Sequence, residues 1–170
     1  MKKLILVFAA FFLTSCIIDS QVIRKSSKPP IKLNSKASAY VALPRDGRYG
    51  NTMYYGSGDE TARAIVSAFT PYLESVETDD EDDEYKSYKK SLKHAKDKKY
   101  DYLFFTKIQH WEDRLTWWSG SLDRVSIKIT ITEVATSKKI DSVILKSDGG
   151  EGKPQNLLPE ILDKYVKTLF

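Results

Sequence analysis

Hydrophobic and polar residues alternate from Arg124 to Thr132, inside a predicted strand that spans residues 122–134. Four aliphatic side chains fall at every second position: Val125, Ile127, Ile129 and Ile131. Such alternation is typical of a β-strand that buries one face and exposes the other. After the turn-forming residues 136–139, residues 140–146 return as the second strand of a predicted β-hairpin.

Three further strands are predicted earlier in the chain. Residues 38–43 form an apolar run that stops at Pro44, and residues 74–77 form a shorter, weaker one. Residues 100–108 contain consecutive apolar side chains without alternation, which favours a strand that is buried on both faces.

Helical spacing of apolar residues predicts three helices. The first carries Ala62, Ile65, Val66 and Phe69; the second Tyr85, Tyr88, Leu92 and Ala95; the third Leu158, Ile161, Leu162, Tyr165 and Leu169. The second is expected to begin in the acidic run Asp79–Glu84, because acids at the N-terminus and lysines at the C-terminus suit the helix dipole.

The predicted order is therefore β-α-β-α-β, then a β-hairpin, then a C-terminal helix. Helical connections between the first three strands require parallel crossovers, whereas the hairpin adds antiparallel strands. We predict an α/β domain with a small mixed sheet in two or three layers. Its element order resembles TolB amino-terminal-like periplasmic modules and the lipoprotein activators of peptidoglycan synthases.

The N-terminus has the form of an export signal. Two lysines precede the apolar run Leu4–Leu13, about half the ~20 residues that a membrane-spanning helix needs. Residues 13–16 read Leu-Thr-Ser-Cys and resemble the lipobox of bacterial lipoproteins, with Cys16 as the only cysteine of the chain. We predict a signal peptide over residues 1–15; an ordinary signal peptide or an anchor helix is the alternative.

Cleavage would leave Cys16 with a diacylglycerol on its sulfur and an acyl chain such as palmitate on its amine, enough for stable anchoring. Ile17 follows, whereas Asp there resembles an inner-membrane retention signal, so we expect the outer membrane, facing the periplasm. Residues 16–37 are predicted to form the lipidated Cys and a flexible basic tether, and residues 38–170 the globular domain. No cofactor beyond the covalent lipid is expected.

Composition narrows the class of protein further. At 170 residues, 41% hydrophobic and 29% charged, the chain is neither disordered nor a polytopic membrane protein. Its net charge of +4 falls to +2 without the leader, from 25 basic and 23 acidic residues, so no nucleic-acid partner is expected. With one Cys and two His, the chain has too few ligands for a Cys- or His-based metal site, and we expect none. The acidic run Asp79–Glu84 lacks the spaced ligands and the glycine of a calcium loop.

Two segments follow the predicted parallel strands at their carboxyl ends, where open α/β sheets bind ligands. The candidate binding surface is built from Tyr54, Tyr55, Ser57, His110, Trp111, Glu112, Asp113, Arg114, Trp117 and Trp118. Gly56-Ser57-Gly58, which precedes a helix, could also seat an anion on the helix N–H groups.

Three interpretations of this surface are open. Aromatic residues with Arg114 suit a binding surface for an envelope protein or peptidoglycan. An enzyme would use His110, Glu112 and Asp113 on a glycan, but adjacent strand residues point to opposite faces, and no nucleophile elbow, HExxH or Walker A pattern is present. The third is a Trp-rich structural corner with an Asp113–Arg114 pair. We expect a non-enzymatic interaction module.

Four segments carry a family resemblance: residues 41–50 (Val-Ala-Leu-Pro-Arg-Asp-Gly-Arg-Tyr-Gly), 55–58, 110–114 with 118–120, and 154–160. Together they resemble an uncharacterised family of small proteobacterial lipoproteins that share a domain of unknown function, DUF4823. The resemblance spans nearly the whole mature chain and implies location and fold but no reaction. Residues 147–153 are shorter and less aromatic than that family's pattern.

Replacement of the predicted lipid-bearing residue tests the anchor. We expect Cys16→Ala to leave an exported protein that no longer sediments with membranes, because more than one acyl chain is needed for stable binding. Mass spectrometry of the wild-type mature protein should find Cys16 as the acylated first residue. A Cys16→Ala protein that still partitions with membranes after export contradicts the lipid anchor.

Overall fold

The described residues form eight strands and three helices. The strands are β1 (Asp19–Arg24), β2 (Ser38–Ala42), β3 (Gly47–Tyr49), β4 (Thr52–Tyr54), β5 (Ser75–Thr78), β6 (Tyr102–Glu112), β7 (Asp123–Glu133) and β8 (Lys138–Gly149). The helices are α1 (Ser57–Phe69), α2 (Tyr88–Asp97) and α3 (Leu158–Val166), the last preceded by a 3₁₀ turn, Pro154–Leu157. The computed structural model describes residues 19–24, 31–80, 85–114, 122–149 and 153–170.

Six strands form one mixed sheet in the order β1-β8-β7-β6-β2-β5, and β3 and β4 form a separate hairpin. Strand β2 pairs in parallel with both β5 and β6, whereas β6, β7, β8 and β1 pair antiparallel in succession. The predicted fold class and the order of its main elements are confirmed. Within the described residues, no helix combines the length and apolar character needed to cross a bilayer.

The main core lies between the sheet and helices α1 and α3. The aliphatic face predicted for β7 is buried there in full, and it packs with Phe104 of β6 and with Ile65 and Leu162 of the two helices. Because each of these side chains leaves water on folding, this layer supplies most of the hydrophobic stabilisation.

Helix α2 covers the opposite face over only part of its width. Its Ala95 packs in a smaller cluster with Tyr40, Leu103 and Phe105 from β2 and β6. Beyond β6 this face carries polar or exposed side chains, such as Arg124, Lys128 and Lys146. We call the uncovered part, across β6, β7, β8 and β1, the open face.

Strand β1 lies in the segment that was predicted to be a flexible tether. Residues Asp19–Arg24 pair with β8 from Asp148 to Val143, so the prediction is wrong for these six residues. The side chain of Arg24 reaches Asp141 at 3.5 Å and the Thr168 hydroxyl at 2.6 Å. Strand β8 would otherwise leave its outer edge unpaired, and this tertiary pairing outweighs the polar local sequence.

The acidic run does not begin the second helix as predicted. Helix α2 begins at Tyr88 after the cap Ser87 and has no acidic residue in its first turn. Asp79 instead ends the parallel pair of β5 and β2, where it accepts hydrogen bonds from the Tyr40 hydroxyl at 2.6 Å and the Leu43 N–H at 3.1 Å. Lys86 Nζ lies 2.5 Å from the same carboxylate. Residues 81–84 lie outside the described part of the chain.

Strand β6 is longer than predicted and carries the β3–β4 hairpin. It runs on to Glu112 through an irregularity between Ile108 and His110, so residues 110–112 belong to the strand. A Cβ on Gly47 would lie 2.6 Å from Trp111 Cβ and 2.8 Å from Ile108 Cγ2. The hairpin therefore packs so closely on β6 that only glycine fits at this position.

Asp79 should make stability depend on pH. Burial alone would raise the pKa of Asp79, but hydrogen bonds from Lys86, Tyr40 and Leu43 outweigh it and hold the pKa below its ordinary 3.8. The carboxylate thus contributes stability above that value, and the contribution is lost as pH falls through the lowered pKa. We expect Asp79→Asn to cost about 1–3 kcal/mol at pH 7. Urea unfolding should show this difference shrinking below pH 4, and a pH-independent difference would contradict the assignment.

Gly47→Ala should loosen the hairpin from β6. Overpacking of this kind costs about 1–3 kcal/mol and should shift the NMR signal of the Trp111 indole. Gly50→Ala is the control, because its Cβ would meet no atom within 4 Å and only its φ of +56° opposes a side chain. The control should lose stability without moving the Trp111 signal. An unchanged Trp111 signal in Gly47→Ala would contradict the close packing.

Candidate functional site

Two members of the predicted surface are structural. Trp111 is 3% exposed and packs in the main core. Ser57 is also buried, and its hydroxyl accepts from Gly47 N–H at 2.8 Å and donates to the Tyr54 carbonyl at 2.6 Å. Both residues therefore hold the β3–β4 hairpin in place, which is the structural-corner role, and neither offers contact area to a partner.

Glu112 is the centre of the polar cluster at the end of β6. Its side chain is 3% exposed, and it receives His110 Nε2 at 2.8 Å and Arg114 Nε at 2.5 Å. His110 and Glu112 are two residues apart on a strand and so share one face, the open face. Two cationic or hydrogen-bonding partners compensate the burial of the carboxylate, and the carboxylate fixes both side chains at the surface.

Tyr49 of β3 completes this cluster. Its hydroxyl accepts a hydrogen bond from Arg114 Nη2 at 2.8 Å, while the centre of the guanidinium group lies 4.8 Å from the Tyr49 ring centre. The His110 ring meets the Tyr49 ring edge-on, with centroids 5.1 Å apart. We call Tyr49, His110, Glu112 and Arg114 the Glu112 cluster. Tyr49 follows the first predicted parallel strand, at the edge where a ligand was expected, but it was not among the residues of the predicted binding surface. The Gly50-Asn51 pair after it is a hairpin signal that could have identified β3 and β4.

The remaining predicted residues surround this cluster or lie outside it. Tyr55 is 89% exposed at the end of the hairpin, and the Tyr54 hydroxyl accepts from the Asp113 N–H at 3.5 Å. Asp113 itself is exposed, so it does not face a common cleft with the buried Glu112. Arg114 pairs with Glu112, which corrects the expected Asp113–Arg114 pair. Trp117 and Trp118 lie outside the described residues.

A recess of about 490 Å³ opens beside the Glu112 cluster on the open face. Four strands line it, through Asp19, Gln21, Gln109, His110, Arg124, Val125, Ser126, Lys146 and Asp148. We call it the His110 recess. Amides, a hydroxyl and charges of both signs on a rigid sheet suit a ligand with many hydrogen-bonding groups, such as a glycan or a peptide backbone.

The helix N-terminus at Gly56-Ser57-Gly58 already holds an anion from the chain itself. The Gly58 N–H donates to the Asp46 carboxylate at 2.9 Å, so the predicted anion seat is filled internally. Gly58 also packs against the backbone, because a Cβ there would lie 2.4 Å from the Pro44 carbonyl oxygen. A second recess of about 530 Å³ lies here, at the carboxyl ends of the parallel strands, with Arg45, Arg48 and the exposed Tyr55 on its rim.

Metal ligands do not converge anywhere in the described residues. No group of three or more His, Cys, Asp or Glu side chains in that part of the chain is placed to hold an ion. His110 and Glu112 meet as a pair only, and Arg114 occupies the remaining side of the carboxylate.

Solved structures with the same fold come from bacteria. The PelC dodecamer from Paraburkholderia phytofirmans superposes with a TM-score of 0.65 at 11% identity, covering 90% of this chain and 97% of that one. Lipoprotein GNA1162 from Neisseria meningitidis gives a TM-score of 0.50 at 13% identity, covering 77% of this chain and 96% of that one. At these identities the similarity concerns the fold alone.

Sequence comparison identifies the family. A search of curated proteins gives no match. The family model for the domain of unknown function DUF4823 matches residues 31–169, which covers nearly all of the described domain. The resemblance seen in the sequence motifs is thereby confirmed. The chain belongs to the DUF4823 family.

Proposed function

We propose that this protein is an outer-membrane lipoprotein whose periplasmic domain is a non-enzymatic interaction module for an envelope protein or glycan. The observation that carries the proposal is the buried Glu112, which holds His110 and Arg114 in fixed positions beside the His110 recess. A surface organised in this way binds with little loss of side-chain entropy, because its charged and aromatic groups are already ordered.

The arrangement supports binding better than catalysis. General acid–base catalysis needs a carboxyl group that can exchange a proton with the substrate. Glycosidases use two carboxylates that flank the scissile glycosidic bond. Glu112 is buried and paired with two partners, whereas Asp113 is exposed to solvent. The side chains that a partner can reach are Tyr49, His110 and Arg114, which suit contact and hydrogen bonding.

Two observations support the proposed location. Residues 13–16 resemble a lipobox with Cys16 at the position that would carry the lipid, and a structure with the same fold is itself named a lipoprotein. Strand β1 begins three residues after Cys16, so a lipid there would hold the domain within about 10 Å of the bilayer at full extension.

A glycan-cleaving enzyme remains the second candidate function. The observation in its favour is the 2.8 Å contact of His110 with Glu112 at the margin of a polar recess. In that candidate His110, Glu112 and Asp113 would be the reacting groups, and the wild-type protein would release shorter products from peptidoglycan fragments.

Glu112→Gln separates the two candidates. In NMR titrations of the mature protein with soluble muropeptides, we expect shifts at His110 and Arg114, and about tenfold weaker binding in Glu112→Gln. The loss corresponds to ~1.4 kcal/mol, because a neutral amide orders His110 and Arg114 less well. Chromatography of the same samples should show no cleavage by either protein.

Glu74→Gln is the matched control, because this substitution makes the same change of charge at an exposed residue far from the Glu112 cluster. It should bind as the wild type does. Cleavage by the wild type that disappears in a folded Glu112→Gln would overturn the proposal in favour of the enzyme. If no muropeptide binds, the proposal requires that a crosslinker placed at Tyr55 captures an envelope protein. Absence of both muropeptide binding and crosslinking would reject this surface.

A further inference from the structure

Besides the His110 recess, the open face holds a smaller recess next to helix α2. Its volume is about 230 Å³, and its lining consists of Tyr88, Phe105, Lys107, Lys128, Thr130 and Lys139. Three of these six side chains are lysines and none is a carboxylate. We call it the lysine recess.

Two of the lysines face each other across neighbouring strands. Lys107 of β6 and Lys128 of β7 are direct partners in the antiparallel register. Side chains in such pairs have Cβ atoms about 4.5–5.5 Å apart, and like charges at this distance oppose folding. Among the residues that the structure describes, neither ammonium group has a carboxylate within 4 Å to offset this repulsion.

Aromatic contacts hold the third lysine at the same place. Lys139 Nζ lies 5.1 Å from the ring centre of Tyr88, whose ring stands edge-on to Phe105 with centroids 5.3 Å apart. The Tyr88 hydroxyl and the Thr132 hydroxyl are 3.0 Å apart, which fixes the tyrosine further. The recess thus has a rigid aromatic wall under three cationic groups.

This combination selects a compact anion attached to a flat or ring-shaped group. Lysines bind phosphate or carboxylate as point charges, and the aromatic wall offers area to the ring that carries it. The volume is below the roughly 300–1,000 Å³ of a pocket for a whole drug-sized ligand, so one charged unit fits rather than an oligomer.

The lysine recess and the His110 recess adjoin along β7. Lys128 lines the first and Ser126 lines the second, two residues or about 7 Å apart along the strand. A ligand longer than one unit therefore reaches both. The His110 recess supplies two amides, one hydroxyl and charges of both signs, whereas the lysine recess supplies positive charge without a carboxylate.

We propose that the open face binds an acidic glycan, with one phosphate- or carboxylate-bearing sugar seated among Lys107, Lys128 and Lys139. The inference rests on the proposed function and names the chemistry of its ligand. The unpaired like charges follow from it directly, because an acidic sugar supplies the counter-charge that the fold itself leaves out.

The probe for this site is tetragalacturonate, an acidic oligosaccharide of known length, and maltotetraose is its neutral counterpart. The mature protein should bind tetragalacturonate at least tenfold more tightly at low salt, with NMR shifts at Lys107, Lys128 and Ser126. The preference should weaken as salt rises, since surface charges are screened over about 10 Å at 0.1 M.

The double variant Lys107→Gln/Lys128→Gln should lose about tenfold in affinity for tetragalacturonate and keep its weak binding of maltotetraose. It should fold at least as stably as the wild type, because the like-charge pair is removed. The control Lys89→Gln/Lys93→Gln makes the same charge change on exposed residues of α2 and should bind tetragalacturonate as the wild type does.

Three results would overturn the inference. Equal losses in both double variants would mean that only net charge matters. Equal binding of the two oligosaccharides would mean that the lysines select nothing, and phosphatidylglycerol vesicles bound through the same lysines without tetragalacturonate binding would assign the site to a lipid surface. If one of these three results is found, muropeptide shifts at His110 that survive in Lys107→Gln/Lys128→Gln show that the proposed function still stands. Loss of those shifts in Glu112→Gln concerns the proposed function alone.

Discussion

The alternation of side chains along β6 is the constraint on which the rest of the structure depends. At its start the strand is buried on both faces, so that Phe104 enters the main core and Phe105 the smaller cluster under α2. The irregularity after Ile108 shifts this alternation once. As a result Trp111 still reaches the core, while His110 and Glu112 share the open face, and the Glu112 cluster exists only because of that shift.

The number of helices determines which part of the sheet stays uncovered and exposes polar side chains. Helices α1 and α3 cover one face of the sheet, but α2 alone cannot cover the other. Strands β7, β8 and β1 present mostly polar side chains on that side, with Ile144 and Ile23 as apolar exceptions, since a large apolar surface would promote aggregation. Both recesses that concern function lie on this uncovered surface, close to the solvent and on rigid strands.

Strand β1 connects the proposed anchor to the binding surface. Asp19 pairs with Asp148, which pairs with Arg124, which pairs with Glu112, so all four lie in one row across the sheet. With Cys16 three residues before Asp19, a lipid on that residue brings this row, and with it the Glu112 cluster, to the side of the domain nearest the bilayer. The lysine recess lies further along the same face.

The amino-acid sequence by itself determined the types of the main elements and the family. Strict alternation in β7, the doubly buried start of β6 and the helical stripes of α1 and α3 are local patterns, and local periodicity specifies which side chains a segment can bury. Only the tertiary structure decided that Asp19–Arg24 pairs with β8, that Tyr49 meets Arg114, and that Lys107 faces Lys128. Each of these depends on strand register between segments far apart in the chain, and register is an interaction between segments that no single segment encodes.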